Sequence, residues 1–323
     1  MTKGKNALVE AIEISKQFRI GKNRAIKAVN GISLTIRKGG IFGLVGESGC
    51  GKSTFGRLLL RLIEPTSGKV FFKGTDITSL SNREFSPIRR SMQMVFQDPY
   101  GSFNPKMRIG SSLKEVGKYF GLSKESVTAR VSELLERVSL SEDLLLRSPR
   151  ELSGGQLQRL AIARAIFNNA DFIVADEPVS ALDVSVQAQL LNLFCDLRES
   201  TGLTMLFISH DISVINYLCD SVGVMYLGRL VETADTADLF HDARHPYTQA
   251  LLASAPLPGR KIKVVLPGDA QDSAETVGAG CEFYSRCPPR SDKCKEEAPV
   301  LRRVSGTHCV ACHLCGASSG YVI

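Results

Sequence analysis

Three short strings in this 323-residue sequence hold residue types that can handle phosphate. The first, Gly46-Glu47-Ser48-Gly49-Cys50-Gly51-Lys52-Ser53-Thr54, follows an apolar run and opens a helical pattern, the context a phosphate-binding loop requires. Its glycines let backbone N–H groups close around α- and β-phosphates, and the helix N-terminus adds the positive end of its dipole. Lys52 is expected to reach the β- and γ-phosphates, and the Ser53 hydroxyl to bind Mg²⁺. The second string, Phe172-Ile-Val-Ala-Asp176-Glu177, ends an apolar strand in two carboxylates, which is costly unless they meet a cation or a reacting group. Asp176 suits Mg²⁺, directly or through water, and Glu177 is then placed to polarise a water attacking a γ-phosphate. The third, Leu152-Ser-Gly-Gly-Gln156, reads as a capping box between Ser153 and Gln156. Gly154 and Gly155 leave amides bare at that helix start, which makes an anion site. Singly, these are also an unused turn, a solvated strand end and a plain cap; together they favour phosphate chemistry.

Cysteines form a fourth pattern. No apolar run approaches the roughly 18 residues needed to cross a bilayer, and the first ten residues lack a signal-peptide core, so the chain is expected in the cytosol. There, cysteines crowded into 281–315 read as metal ligation before disulfides. Cys281, Cys287, Cys294 and Cys312 are spaced C-x5-C-x6-C-x17-C, with none of the close pairs usual at zinc. Cys309–Cys312 and Cys312–Cys315 are such pairs. Four spread thiolates suit a [4Fe-4S] cluster, with zinc or no metal as alternatives; in the cluster reading Cys309 and Cys315 are spectators.

The charge is uneven: residues 1–110 hold 19 Lys+Arg against 7 Asp+Glu, in a chain whose formal net charge is +7. That excess fits phosphate ligands or an anionic membrane face as well as a solvated surface. With no Trp and seven Tyr, nothing suggests stacking on single-stranded nucleic acid.

Upstream of the glycine loop, Ile32–Ile36 alternates as a strand, Lys38-Gly39-Gly40 turns, and Ile41–Val45 is a short apolar strand. A helix is predicted over Lys52–Ile63, stopped at Pro65, and another over Ser123–Leu140 inside a mainly helical insertion at about 98–154. Phe172–Ala175 and Leu203–Ile208 look like strands buried on both faces of a parallel sheet, with a helix, Val184–Glu199, between them. Val222–Val231 is a hairpin turning at Gly228-Arg229. A Pro-rich stretch, Pro246–Pro267, leads to the cysteine segment, so the expected domains are 1–243 and 244–323, the tail being separate from the core that carries the loop at 46–54.

With Leu152–Gln156 as its signature motif, the sequence resembles the ATP-binding cassette (ABC) family. The resemblance implies an α/β P-loop core with an antiparallel β subdomain and a helical subdomain, plus the small Cys-rich C-terminal domain. It implies that Ser153 to Gln156 close on the γ-phosphate of an ATP held by a partner subunit. Gln97, in Val-Phe-Gln-Asp-Pro, matches the Q-loop glutamine that senses Mg²⁺ and the transmembrane partner. Ser180-Ala-Leu-Asp183 matches the D-loop, His210 the switch histidine, and Phe18 the aromatic that stacks on adenine.

Asp98-Pro-Tyr-Gly-Ser-Phe-Asn-Pro105, Ala181-Leu-Asp-Val-Ser-Val-Gln-Ala-Gln189 and His245-Pro-Tyr-Thr-Gln-Ala-Leu251 resemble ATPase subunits of bacterial oligopeptide/dipeptide importers, more the F-type subunit. So does the tail, in Gly280-Cys281, Phe283, Arg286-Cys287-Pro288, Cys294 and Ala311-Cys312-His313. Members of that subfamily also bear on the tail's metal, since the resemblance includes a cluster of the kind described above. It further implies a second, related ATPase subunit, two transmembrane permease subunits, an extracytoplasmic substrate-binding protein and no nucleic acid, at the cytoplasmic face of the membrane. An importer of nickel or glutathione on the same plan is the nearest alternative, and a soluble cassette protein acting on ribosomes or DNA a more distant one. Leu157 stands where the subfamily generally has Arg, which is expected to remove a charge beside the γ-phosphate half-site.

Overall fold

The computed structural model describes residues 6–20, 24–254 and 279–315. It divides into two compact units, 1–79 with 207–323, and 80–206.

The first unit opens with two long antiparallel strands, β1 (Ala7–Ile20) and β2 (Arg24–Arg37), then β3 (Ile41–Val45), helix α1 (Lys52–Leu59), β4 (Ser67–Phe72) and β5 (Thr75–Asp76). β2, β1, β4 and β5 form an antiparallel sheet in that order. The alternation in Ile32–Ile36 has its expected consequence: Ile32 and Ile36 are buried and the residues between them face outward or sit half-buried. β3 is buried at all five positions, as a continuous apolar run requires. α1 stops at Leu59, short of the predicted Ile63, because Arg61 adopts a left-handed backbone (φ 48°) before Pro65 is reached.

The second unit contains α2 (Asn82–Arg89), β6 (Met92–Val95), α3 (Ile109–Tyr119), α4 (Lys124–Arg137), α5 (Gly154–Ala165), β7 (Phe172–Asp176) and α6 (Val184–Thr201). β6 and β7 pair in parallel, while α3 and α4 pack in the predicted helical insertion. The stripe read from the sequence, Val127, Val131, Leu134 and Leu135, is buried, and Ser123 caps α4 by accepting from the Ser126 N–H.

The boundary between the units falls inside strand β8 (Thr204–Ser209). The first unit resumes with α7 (Ile212–Leu218), β9 (Ser221–Tyr226), β10 (Arg229–Asp235), α8 (Thr236–His241), α9 (Pro246–Ser254), the short helix Asp292–Glu296, β11 (Arg302–Ser305) and β12 (His308–Val310). β9 runs parallel to β3, and β10 and β12 add antiparallel strands beyond it. The predicted hairpin turns at Leu227 and Gly228, both with positive φ.

The cysteine segment is therefore built into the first unit. Glu232 of β10 is fully buried and accepts from the Arg244 N–H (2.7 Å) and the His245 N–H (3.0 Å), with His308 Nε2 of β12 at 2.7 Å. Phe283 inserts among Tyr226, Tyr247 and His245, with ring centroids 5.3, 5.5 and 5.7 Å away. Among the described residues no helix is long and apolar enough to cross a membrane.

Candidate functional site

In the first unit, buried β3 delivers the chain into the loop 46–51, and α1 begins at Lys52. Gly46 and Gly51 have φ of 157° and 106°, and a Cβ there would lie 2.2 Å from the Met225 carbonyl oxygen and 2.0 Å from that of Ala28. Only glycine lets this backbone pass so close to its neighbours. Lys52 is buried, and its ammonium donates to the carbonyls of Gly46 (2.7 Å) and Glu47 (2.9 Å), so the cation sits inside the loop's own curve. Burial pushes the Cys50 thiol up, which keeps it a neutral filler under the loop. Ser48 and Gly49 are exposed at the tip, and Ser53 and Thr54 lie half-buried in the first turn of α1. The loop's glycine-only curvature, the first-turn N–H groups of α1 and the Lys52 ammonium fit a polyphosphate.

The side chain of Glu47 points to a part of the chain that the three strings did not implicate. Its carboxylate accepts from Arg286 at 2.8 and 2.9 Å, and its N–H donates to the Tyr247 hydroxyl at 2.9 Å. Arg286 and Tyr247 were legible only as subfamily resemblance, because their partners lie 239 and 200 residues away in sequence. In the same unit, Phe18 is 41% exposed on β1, with the Lys16 ammonium 5.3 Å from its ring centroid. A ring held on a strand with a free face can stack on a planar base. His210 is exposed directly after β8, where Asp211 caps α7 by accepting from the Ser213 N–H.

In the second unit, register brings two of the expected residues together. Val95 of β6 pairs with Ala175 of β7, so Gln97 and Glu177 each stand two residues past that pair. Gln97 Nε2 donates to Glu177 Oε2 at 3.1 Å. Glu177 has φ 45°, a left-handed conformation costly for a residue with a side chain, directly after Asp176, which is 3% exposed. The Ser180 N–H and hydroxyl both reach back to the Glu177 carbonyl, at 3.3 and 3.1 Å, which pins the turn leading to Asp183.

The capping box at α5 is present: Gln156 N–H donates to Ser153 Oγ (3.3 Å) and Ser153 N–H to Gln156 Oε1 (3.0 Å). Gly154 and Gly155 sit against Leu182 and Val186. A Cβ on Gly155 would come within 2.5 Å of Val186 Cγ1, so its glycine is a matter of space. Tyr100 ties the 98–105 segment to this motif by donating to the Leu152 carbonyl at 3.0 Å. Leu157 has no exposed surface. Its side chain fills the core under α5, so the expected effect on charge beside the half-site concerns a position turned inward.

The cysteines depart from expectation. All nine are free. Cys281 and Cys287 are pushed up to about 11 and about 12 by burial first, and also by neighbouring thiols of the set Cys281, Cys287, Cys294 and Cys312. Those four therefore share one neighbourhood. Yet among the described residues no three His, Cys, Asp or Glu side chains are placed to hold a metal ion, so the expected [4Fe-4S] ligand set is not assembled. Cys312 also interacts with Cys315, one of the expected spectators, which lowers the Cys312 thiol and raises that of Cys315, and the Cys315 thiol donates to the Arg244 carbonyl at 3.2 Å. Cys294 lies 3.3 Å from the Ser291 hydroxyl.

Residues 29–180 match the ABC transporter family model, and residues 231–294 match the model for the oligopeptide/dipeptide transporter C-terminal region. The oligopeptide transport ATP-binding protein AppF of Bacillus subtilis is 44% identical over 95% of this chain and 97% of its own. Among solved structures, a dimeric post-hydrolysis state of the ATP-binding cassette MJ0796, bound to ADP and Pi, superposes with a TM-score of 0.65 at 30% identity, covering 71% of this chain and 98% of that one. The fold is shared with cbiO1 of Clostridium perfringens, part of the cbiONQ transporter complex, at a TM-score of 0.66 and 24% identity over 79% of this chain and 97% of that one. A phosphate loop, a strand ending in Asp176-Glu177 and a capped signature helix, joined to a matching C-terminal region, put this ATP-hydrolysing chain in the ABC transporter family, among the ATP-binding subunits with the oligopeptide/dipeptide transporter C-terminal region.

Proposed function

We propose that this chain powers the import of di- and oligopeptides as one of two ATPase subunits bound to the cytoplasmic face of the membrane. The observation that carries the reading is the pairing of a cassette with a C-terminal region of the oligopeptide/dipeptide transporter type, over nearly the full length of a relative named for oligopeptide transport. The partners are a second, related ATPase subunit, two transmembrane permease subunits and, indirectly, an extracytoplasmic substrate-binding protein. Residues 1–243 form the ATPase part and 244–323 the transporter-specific extension. Nickel or glutathione import on the same plan is the competing reading.

The site residues have these roles. Main-chain N–H groups of Gly46 to Thr54 and the Lys52 ammonium hold the triphosphate, and Phe18 stacks on adenine. Ser53, Asp176 and Gln97 offer the oxygen ligands that Mg²⁺ prefers. When bound, Mg²⁺ offsets phosphate charge during transfer. Glu177 takes a proton from, or orients, the attacking water, and the bond from Gln97 sets the direction of its carboxylate. His210 holds the γ-phosphate side of the site, and the Ser153 to Gln156 motif turns the Gly154 and Gly155 amides to the partner subunit's nucleotide. The exposed Val184, after Asp183, supports an apolar contact of the D-loop with that partner.

The [4Fe-4S] centre enters the proposal only as a ligand set, and no catalytic step runs through it. Its support is four free thiols, Cys281, Cys287, Cys294 and Cys312, within electrostatic reach of one another. Cluster binding would draw Cys312 away from its interaction with Cys315. Anaerobically purified protein is expected to be brown, with about four iron atoms per chain. Zinc without iron, or metal loss on Cys309→Ser but not Cys312→Ser, would overturn the assignment.

The transport reading is tested by reconstituting the chain with the permease and ATPase subunits encoded beside it and measuring ATP-driven peptide uptake into vesicles. Uptake of nickel or glutathione, with none of peptides, would favour the competing reading.

A further inference from the structure

Glu47 is the only acidic residue in the loop 46–54, and all its polar groups are engaged. Its N–H donates to Tyr247, its carbonyl accepts from Lys52, and its carboxylate accepts both ends of the Arg286 guanidinium. The Arg286 side chain is 6% exposed against 29% for Glu47. It is held in turn by the Tyr226 hydroxyl, 3.4 Å from Nη1, and by the Tyr226 ring, 5.9 Å from the guanidinium carbon. Phe283, three residues earlier, wedges into the same aromatic group, so the arginine comes from a packed 3₁₀ turn and not from a loose tail.

A carboxylate inside a loop that must accept a triphosphate would repel it if left unpaired, because like charges a few ångströms apart interact strongly where water is partly excluded. We propose that Arg286 is a positioning residue of the ATP site: it neutralises Glu47 and orients it away from the phosphates, so that nucleotide affinity depends on the folded C-terminal extension. The proposal rests on the ATPase reading and adds a residue, outside the cassette motifs, on which that site depends. The bidentate geometry matters, since a planar fork fixes both oxygens of the carboxylate where an ammonium would hold one.

The test uses the full-length chain and a fluorescent ATP analogue with Mg²⁺. Arg286→Ala is expected to weaken binding about tenfold, and Arg286→Ala/Glu47→Gln to recover to within about threefold of wild type, because the repelling charge has gone. Glu47→Gln alone should bind about two- to threefold more tightly, because it leaves the Arg286 charge beside the loop without its carboxylate partner. In the assembled complex, Arg286→Ala should raise KM for ATP while kcat stays within about threefold, as expected for lost ground-state binding. Binding by Arg286→Ala within twofold of wild type, a double variant no tighter than Arg286→Ala, or a fall in kcat at unchanged KM would overturn the proposal. If Arg286→Ala does not fold, Arg286→Lys carries the test, with about a threefold loss rescued by the same Glu47→Gln change. Wild-type protein that binds no Mg-ATP would sink the ATPase reading and this inference together, whereas normal wild-type binding with an unaffected Arg286→Ala sinks this inference alone.

Discussion

Glu177 combines a strained backbone, a carboxylate held by Gln97 and a position beside a buried Asp176. Glu177→Gln keeps the size and the turn and removes the carboxylate that the proposed function uses as base. It is expected to bind ATP normally and turn over at least about 100-fold more slowly in the assembled transporter, with the ATP-bound complex accumulating. Wild-type-like turnover would remove Glu177 from the catalytic role. Gly155 offers a structural counterpart at the same scale. Gly155→Ala drives a Cβ into Val186 and is expected to cost about 1–3 kcal/mol, measured by urea unfolding, and Gly155→Ala/Val186→Ala should restore most of it. No recovery in the double variant would mean that the glycine serves something other than this contact.

At the scale of elements, the join of β10, α9 and β12 is polar at its centre. His245 is fully buried and its pKa is pushed down to about 4, mainly by desolvation, with the Glu232 carboxylate opposing the shift. Its Nδ1 accepts from the Tyr247 N–H at 3.1 Å, which also requires the neutral ring. The folded value lies below the ordinary value of about 6.5, so the unfolded chain takes up the proton first as pH falls. The resulting stability is complete above pH ~6.5 and is lost towards pH ~4, by up to about 1.4 kcal/mol per pH unit. Urea midpoints at pH 7 and pH 5 check this, and His245→Gln should flatten the difference. An undiminished pH dependence in that variant would assign it to other groups.

For the molecule as a whole, the consequential feature is that the cysteine segment is not a pendant domain. Phe283 and Arg286 pack beside the phosphate loop, and β12 extends β10 within one unit. The expectation of a tail separable from the loop's core gives way to one shared core. Phe283→Ala is therefore expected to destabilise the nucleotide-binding unit itself by about 3–5 kcal/mol, since a ring 1% exposed is removed from an aromatic cluster. A loss confined to the tail, seen as proteolysis near residue 280 with an unchanged unfolding midpoint, would contradict this. The purified chain alone is also expected to hydrolyse ATP slowly, because in the proposed arrangement Ser153 to Gln156 serve a partner's nucleotide. A dilute monomer working at the complex's rate would refute the shared site.

What the sequence determined was local. The loop 46–54, the strand ending at Asp176-Glu177, the cap Ser153–Gln156 and the helix Lys124–Arg137 follow from glycine conformations, apolar periodicity and side-chain capping, all set within a few residues. Tertiary structure decided what required distant segments to meet. The Gln97–Glu177 bond depends on β6/β7 register, Leu157 proved to be a core residue, and Cys315, an expected spectator, joined Cys312 in the neighbourhood of the other thiols. Above all, nothing near Glu47 in the chain announces Arg286. A charge pair closed over 239 residues leaves no local periodicity or spacing to read, because it exists only once β9, α9 and the Phe283 turn have packed together.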